Sequence, residues 1–233
     1  MNSTHPLDNP IWNSLCTEQG SLALGGALAR RYPPAIGPLS GIPRQTAASY
    51  EALRELAGPE ESLVLIIQEE PEIPVGWTVA RRMELCQMIC DAVPDLEPAV
   101  PGAGEVFRQL TADDVPEMVA LARLTEPGPF RERTIELGTF YGMFAEGRLA
   151  AMAGKRMNLT GYQEVSAVCT HPDARGRSYA RMAMLAVMRE IFALGKTPFL
   201  HVLPENAGAI RIYERLGFRE RRGLQLVVLK NAL

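Results

Sequence analysis

The chain has 233 residues, 47% of them hydrophobic, and a formal net charge of −3. That is enough apolar material for a substantial core, but no run of eighteen apolar residues exists to span a membrane as a helix, and neither a basic stripe nor an aromatic platform points to nucleic acid. The four cysteines lack zinc-knuckle spacing, and the N-terminus has no basic region followed by an apolar stretch, so a metal-free, reduced, cytoplasmic protein is expected.

Charge is shared unevenly. Residues 1–97 carry 6 Lys/Arg against 13 Asp/Glu, whereas residues 98–233 carry 18 against 14. The asymmetry suggests two lobes, the second being the better host for an anionic ligand. In the first, an irregular lead reaches a short turn of structure around Ile11, Trp12 and Leu15, and Leu22–Arg30 reads as a strand or a loose helix. Prolines and glycines mark a loop as far as Arg44. The spacing then predicts a helix over Thr46–Ala57, stopped by Gly58-Pro59, a buried strand at Leu63–Ile67 and a strand at Gly76–Val79. Periodicity leaves Arg81–Cys90 undecided between strand and helix. The stretch 91–104, with Pro94, Pro98, Pro101, Gly102 and Gly104, is the candidate linker between the lobes.

The pattern sharpens after it. Val106–Leu110 is a predicted strand, and Thr111 caps a helix running through Val115, Met118, Val119 and Ala122. A loop over 125–130 leads to a short helix at Arg131–Leu137. Phe140–Ala145 and Arg148–Arg156 flank Glu146-Gly147 as a hairpin. A central strand follows, with Val165, Ala167 and Cys169 alternating against Ser166, Val168 and Thr170. His171-Pro172-Asp173 ends it, and Ser178–Leu194 is an apolar helix without proline or glycine. Between them, Arg175-Gly176-Arg177-Ser178 places small and basic residues where a helix leaves N–H groups unpaired, an arrangement suited to phosphate. Pro198–Leu203 is a further strand, and Asn206 opens a helix that ends at Gly217. Two short terminal strands, Phe218–Arg221 and Leu224–Leu229, complete an α/β fold: a mixed central sheet flanked by helices, with a β-helix-β crossover on each side of Leu200.

Residues 168–180, VCTHPDARGRSYA, together with Asn206–Tyr213 (NAGAIRIY) and Leu216-Gly217-Phe218, resemble the GCN5-related N-acetyltransferase (GNAT) family, in its FR47-like branch. The family's acyl-CoA loop, Gln/Arg-x-x-Gly-x-Gly/Ala, here reads Arg175, Gly176, Arg177, Ser178, Tyr179, Ala180, with Ser178 in place of the usual glycine. The resemblance covers about residues 98–233 as the acetyltransferase domain and implies that 1–97 is a degenerate copy of the same fold.

The resemblance implies acetyl-CoA as acetyl donor and a primary amine as acceptor: a small amine, an amino acid or a peptide N-terminus. Backbone amides of Arg177–Ala180 would hold the pyrophosphate, with charge from Arg175 or Arg177. The strand end Val168-Cys169-Thr170 would pair with the pantetheine arm, and the Val168 N–H would polarise the thioester carbonyl. Asn206 would bond that arm or merely cap its helix. Tyr213 matches the tyrosine that returns a proton to the leaving thiolate. Glu164, sharing by alternation a face with Ser166, Val168 and Thr170, is the candidate base provided the cleft raises its pKa. His171 and His201 end the two flanking strands without a paired acid at useful spacing, so a Cys/His covalent route is not expected. Monomer and homodimer both stay open, and so does the alternative of a non-catalytic acyl-CoA-binding or interaction module.

Overall fold

The computed structural model describes residues 5–59, 61–97 and 100–232. Its helices are α1 (Pro10–Cys16), α2 (Ala47–Glu55), α3 (Val115–Thr125), α4 (Tyr179–Ala193) and α5 (Ala207–Arg215). A small antiparallel sheet joins β1 (Leu24–Gly25), β2 (Arg30–Arg31) and β3 (Ser40–Gly41). The main sheet has eight strands: β4 (Ser62–Ile67), β5 (Trp77–Ile89), β6 (Val106–Gln109), β7 (Phe140–Ala145), β8 (Arg148–Leu159), β9 (Tyr162–Thr170), β10 (Thr197–Val202) and β11 (Arg219–Asn231), in the order β4-β11-β5-β10-β9-β8-β7-β6.

Mixed α/β architecture with helices on a large sheet is as expected, but the strand order is not. The crossover β9-α4-β10 is parallel and brings neighbours together. The next, β10-α5-β11, passes over a strand: β5 lies between β10 and β11, antiparallel to both. The undecided segment Arg81–Cys90 is therefore largely strand, its far end buried and its near end exposed around Arg81, Arg82 and Glu84. That half-exposed stretch masks the alternation a sequence window looks for. The two terminal strands are in fact one, β11, which keeps its pairing with β5 from Arg219↔Ile89 to Asn231↔Trp77 by absorbing an irregularity between Glu220 and Arg222. The short helix expected at Arg131–Leu137 shrinks to a 3-10 turn, Thr134–Leu137.

Strands from both sides of residue 97 thus alternate in one hydrogen-bonded sheet. The candidate linker has irregular structure where it is described, residues 98 and 99 lying outside the described residues. It is tied down on both sides: Asp91 pairs with Arg219 at 2.5 Å, and the Leu96 carbonyl accepts a bond from Arg189 at 2.9 Å.

Two faces of the sheet carry separate cores. On one, α4 buries Met184, Leu185, Val187, Met188 and Ile191 against Val165, Leu200, Val202 and Met88, with Tyr213 of α5 and Leu216 at its C-terminal end beside them. A fifteen-residue helix free of proline and glycine with so broad an apolar surface needs such cover. On the other face, α1 packs Ile11 and Leu15 among Tyr32, Met157 and Phe199, while α3 packs Met118 and Leu121 against Phe140, Ala167 and Cys169. Each fully buried Leu or Ile contributes roughly 1.5–3 kcal/mol.

Candidate active site

The site begins where β9 and β10 part. They pair in parallel from Thr197↔Tyr162 to Phe199↔Glu164, and there the ladder stops. Beyond that point β9 stays tied to β8 as far as Ala151↔Thr170, and β10 stays tied to β5 as far as Val202↔Cys86. A wedge opens between Val165–Thr170 and Leu200–Val202, with strand edges that lack a neighbour on the inside among the described residues.

Within that wedge β9 bulges. Ala167 has φ +52°, and the register jumps from Gly154↔Ser166 to Met152↔Cys169, so that Ala167 and Val168 together oppose Ala153. A left-handed alanine in a strand costs about 1–2 kcal/mol, strain of the sort that gathers at working sites. The bulge also reassigns faces. Val165 and Val168, an odd spacing, both pack on the α4 side, and Ala167 and Cys169 pack on the α3 side. Plain alternation fails here, and Glu164 does not share a face with Val168.

At the top of the wedge the chain turns into α4. The His171 N–H bonds the Ala150 carbonyl at 2.7 Å, a 3-10 turn over Pro172–Ala174 follows, and Arg175, Gly176, Arg177 and Ser178 are all exposed. Gly176 has φ +80° and Ser178 φ +62°, successive left-handed turns that bring backbone N–H groups round to one side. Ser178 sits at the N-cap without using its side chain as a cap, leaving the first-turn amides of Tyr179, Ala180 and Arg181 without a capping partner. The left-handed angle is the reason glycine suits this position. The amides and dipole of a fifteen-residue helix, beside exposed Arg175 and Arg177, fit a pyrophosphate, and the open strand edges below fit an extended amide-bearing arm. The Tyr179 ring turns inward: its hydroxyl bonds Glu105, so only its backbone is free for a ligand.

Across the wedge, Asn206 Oδ1 accepts from the Ala209 N–H at 3.1 Å and so caps α5, while its amide nitrogen has no partner among the described residues. Tyr213 is 9% exposed and packs edge-on to Phe218 at 6.2 Å between centroids. Burial, and then the Cys169 thiol, raise its pKa to about 12, so the phenol keeps its proton at neutral pH. Its hydroxyl has no partner among the described residues. Cys169 is buried beside Thr125, and burial pushes its thiol up to about 11, too high for a thiolate nucleophile.

Glu164 departs most from expectation. It lies at the apex of the wedge, fully buried, held side-on by Arg156 through Nε at 2.6 Å and Nη2 at 2.7 Å. His201 Nδ1 sits 2.8 Å from its other flank. Burial alone would raise the carboxyl's pKa, but the Arg156 charge and hydrogen bonds, helped by His201, win and hold it at about 2. A base near neutral pH is favoured by the opposite shift, so the condition set for Glu164 as proton acceptor is not met: the carboxylate is held ionised and anchors its neighbours. His201 does have a paired acid. The sequence hides it because Glu164 is 37 residues away.

The network extends into the N-terminal segment. Gln87 donates to the Leu7 carbonyl at 3.0 Å and accepts from Arg221 at 2.8 Å, which turns its amide nitrogen toward His201 Nε2 at 3.0 Å. With Nε2 the acceptor, Nδ1–H donates to Glu164. Opposite Glu164, β8 carries its own irregularity between Lys155↔Val165 and Asn158↔Gln163. There Gln19 acts as a substitute strand, donating to the Arg156 carbonyl at 2.9 Å and accepting from the Asn158 N–H at 3.0 Å. Sequence reading missed Arg156, Gln87 and Gln19. The available signal was an arginine interrupting the buried strand that runs from Leu149.

Among the described residues no group of His, Cys, Asp and Glu is arranged to hold a metal, and no helix is long and apolar enough to cross a membrane.

The family described as FR47-like protein matches residues 140–227. A GNAT-family protein structure from Novosphingobium aromaticivorans is 41% identical, with 98% of this chain and 100% of that one covered at a TM-score of 0.88. A GCN5-related N-acetyltransferase from Kribbella flavida, 18% identical, covers 90% of this chain and 88% of its own at 0.58. A tandem GNAT protein from the clavulanic acid biosynthesis pathway, 17% identical, covers 88% and 78% at 0.56. These last two likenesses are of fold. No curated protein matches the sequence.

Proposed function

Because the chain belongs to the GCN5-related N-acetyltransferase family, we propose that it transfers an acetyl group from acetyl-CoA to a primary amine by direct attack. The observation that carries this reading is the wedge itself: an anion-binding turn at Gly176 and Ser178, a bulge at Ala167 and an unpartnered phenol at Tyr213 arranged around one gap between β9 and β10.

The bound thioester supplies the acyl group. The amides of Arg177–Ala180 grip the pyrophosphate at the helix end, with Arg175 and Arg177 adding charge. The inner edge of β9 at Val168-Cys169-Thr170 pairs with the pantetheine amides. Asn206 presents its free amide nitrogen to that arm while its oxygen caps α5. The bulge aims the Val168 N–H at the thioester carbonyl, where a fixed dipole favours charge building on oxygen. Tyr213 holds the proton that the departing sulfur needs. Glu164 positions rather than titrates: it keeps Arg156 and His201 in one geometry at the apex. Residues 1–97 supply the strand that holds β10 away from β11 and the side chains that secure the apex.

A thiol-release assay with acetyl-CoA and a panel of amines tests the reading. Tyr213→Phe should lower kcat by about a hundredfold to ten-thousandfold, the usual span for a positioned acid, with the KM for acetyl-CoA little changed. An unchanged kcat would remove the acid from Tyr213. Ser178 favours a second reading, an acyl-CoA-binding module without turnover, because its β-carbon stands where glycine lets phosphate approach. Tight acetyl-CoA binding with no turnover across the panel would select it.

A further inference from the structure

Resting on the acetyltransferase reading, we propose that the open edge of the Arg156 guanidinium recognises an oxygen on the carbon next to the acceptor's amine-bearing carbon. The acceptors are then α-amino acyl compounds, amino acids or their amides, rather than plain alkylamines.

A guanidinium has five N–H donors. Arg156 commits two of them, on Nε and Nη2, to the Glu164 carboxylate. The other three have no partner among the described residues, although the side chain is only 12% exposed. Nη1 has no protein partner among the described residues yet is not fully enclosed, so its hydrogens are open to water or to a ligand. Side-on pairing with Glu164 leaves free the end-on fork, formed by Nη1 and the outer hydrogen of Nη2, and that fork matches an sp2 oxygen or a carboxylate.

The loop after α3 flanks the fork, and on this reading that loop marks the acceptor side of the wedge. A β-carbon built on Gly128 would lie 3.9 Å from Arg156 Nη1, so the loop after α3 passes beside it, and Gly128 is itself exposed. The same loop follows Thr125, the last residue of α3, whose hydroxyl neighbours Cys169 just past the bulge. One short loop therefore runs from the reacting end of β9 to the arginine. The bulge at Ala167 and the apex at Glu164 are three strand residues apart, about 10 Å. One near-attack contact, one α-amino acyl group and one hydrogen bond together span about that distance. A free ε-amine on a long chain would place its own carboxyl group well beyond the fork.

The test uses the full-length protein and three matched sets of probes: amino acids, their amides, and the amines lacking the carboxyl carbon. Each is measured by kcat/KM in thiol release and by calorimetric binding to CoA-saturated protein. The amino acyl member of each bound pair should exceed its matched amine by about tenfold or more. Preference for the acid assigns the bound group as carboxylate, and equal use of acid and amide assigns it as carbonyl oxygen. Arg156→Lys keeps a cation beside Glu164 but loses the planar fork, and should remove most of the ratio through KM. If that variant fails to fold, the double variant Arg156→Gln/Glu164→Gln, which leaves no uncompensated charge, takes its place. Matched amines that bind and react as well as their amino acyl partners overturn the inference, as does a folded Arg156 variant with the ratio intact. Failure of acetyl-CoA to bind would instead sink the acetyltransferase reading, and the calorimetric ratio on the protein alone still decides the role of Arg156.

Discussion

Replacing Glu164 by glutamine isolates one charge at the apex of the wedge. The two side chains have nearly the same shape, but glutamine leaves the Arg156 guanidinium without its counter-ion in a buried place. The carboxyl's pKa falls from an ordinary 4.5 to about 2 on folding, a difference worth roughly 3 kcal/mol of stability. Because the folded value is the lower one, this stability is fully present above about pH 5, where the unfolded chain is already ionised, and is lost as pH falls toward 2. Glu164→Gln should therefore lower stability by about 3 kcal/mol at pH 7, a fall in Tm of roughly 6–12 °C for a chain of this length. The gap should close with acid, since the protonated wild type and the variant then face Arg156 in the same way. Urea unfolding or calorimetry at pH 7, 5 and 3 measures both quantities. A variant as stable as wild type at pH 7, or a gap that stays constant down to pH 3, would refute a carboxylate held ionised by Arg156.

Other substitutions probe the donor side. Ser178→Gly relieves the left-handed strain at φ +62° and breaks no cap bond. It should change stability by no more than about 1 kcal/mol, the relief being offset by glycine's freer unfolded chain, and should tighten acetyl-CoA binding in a titration. Asn206→Ala loses the cap on α5, costing about 1 kcal/mol in thermal unfolding, and should also raise the KM for acetyl-CoA. A change confined to stability would leave Asn206 as a cap alone. Gln19→Ala strips the Arg156 carbonyl of its partner, while the Asn158 N–H keeps Ser14 Oγ at 3.2 Å, and should cost about 1–3 kcal/mol for the carbonyl left buried and unpaired. Denaturant unfolding reads it directly, and a neutral outcome would mean that water replaces the side chain.

Much of the local structure of the proposed donor site was legible from sequence because its determinants are local. The order strand, turn, helix, the asparagine opening α5 and the tyrosine beyond it depend on neighbours within a few residues. So do the proline that ends the strand at His171-Pro172 and the glycine and serine of the turn. Acceptor-side groups were not legible for the opposite reason. Arg156 and Glu164 lie on different strands, and His201 stands opposite a carboxylate that precedes it by a whole crossover.

By itself, then, the sequence determined a mixed α/β fold, the strand-turn-helix proposed to bind an anion and the likeness to an acetyltransferase. Short-range sterics, helix ends and apolar periodicity write those features into contiguous residues. Tertiary structure alone decided that β5 enters the sheet between β10 and β11, that a bulge at Ala167 turns Val168 away from the face of Glu164, and that Glu164 stays ionised. A bulge is settled by the register of the partner strand, and a buried carboxyl's pKa by which charges the fold brings within a few ångströms. Neither is a property of the residues on either side of it in the chain.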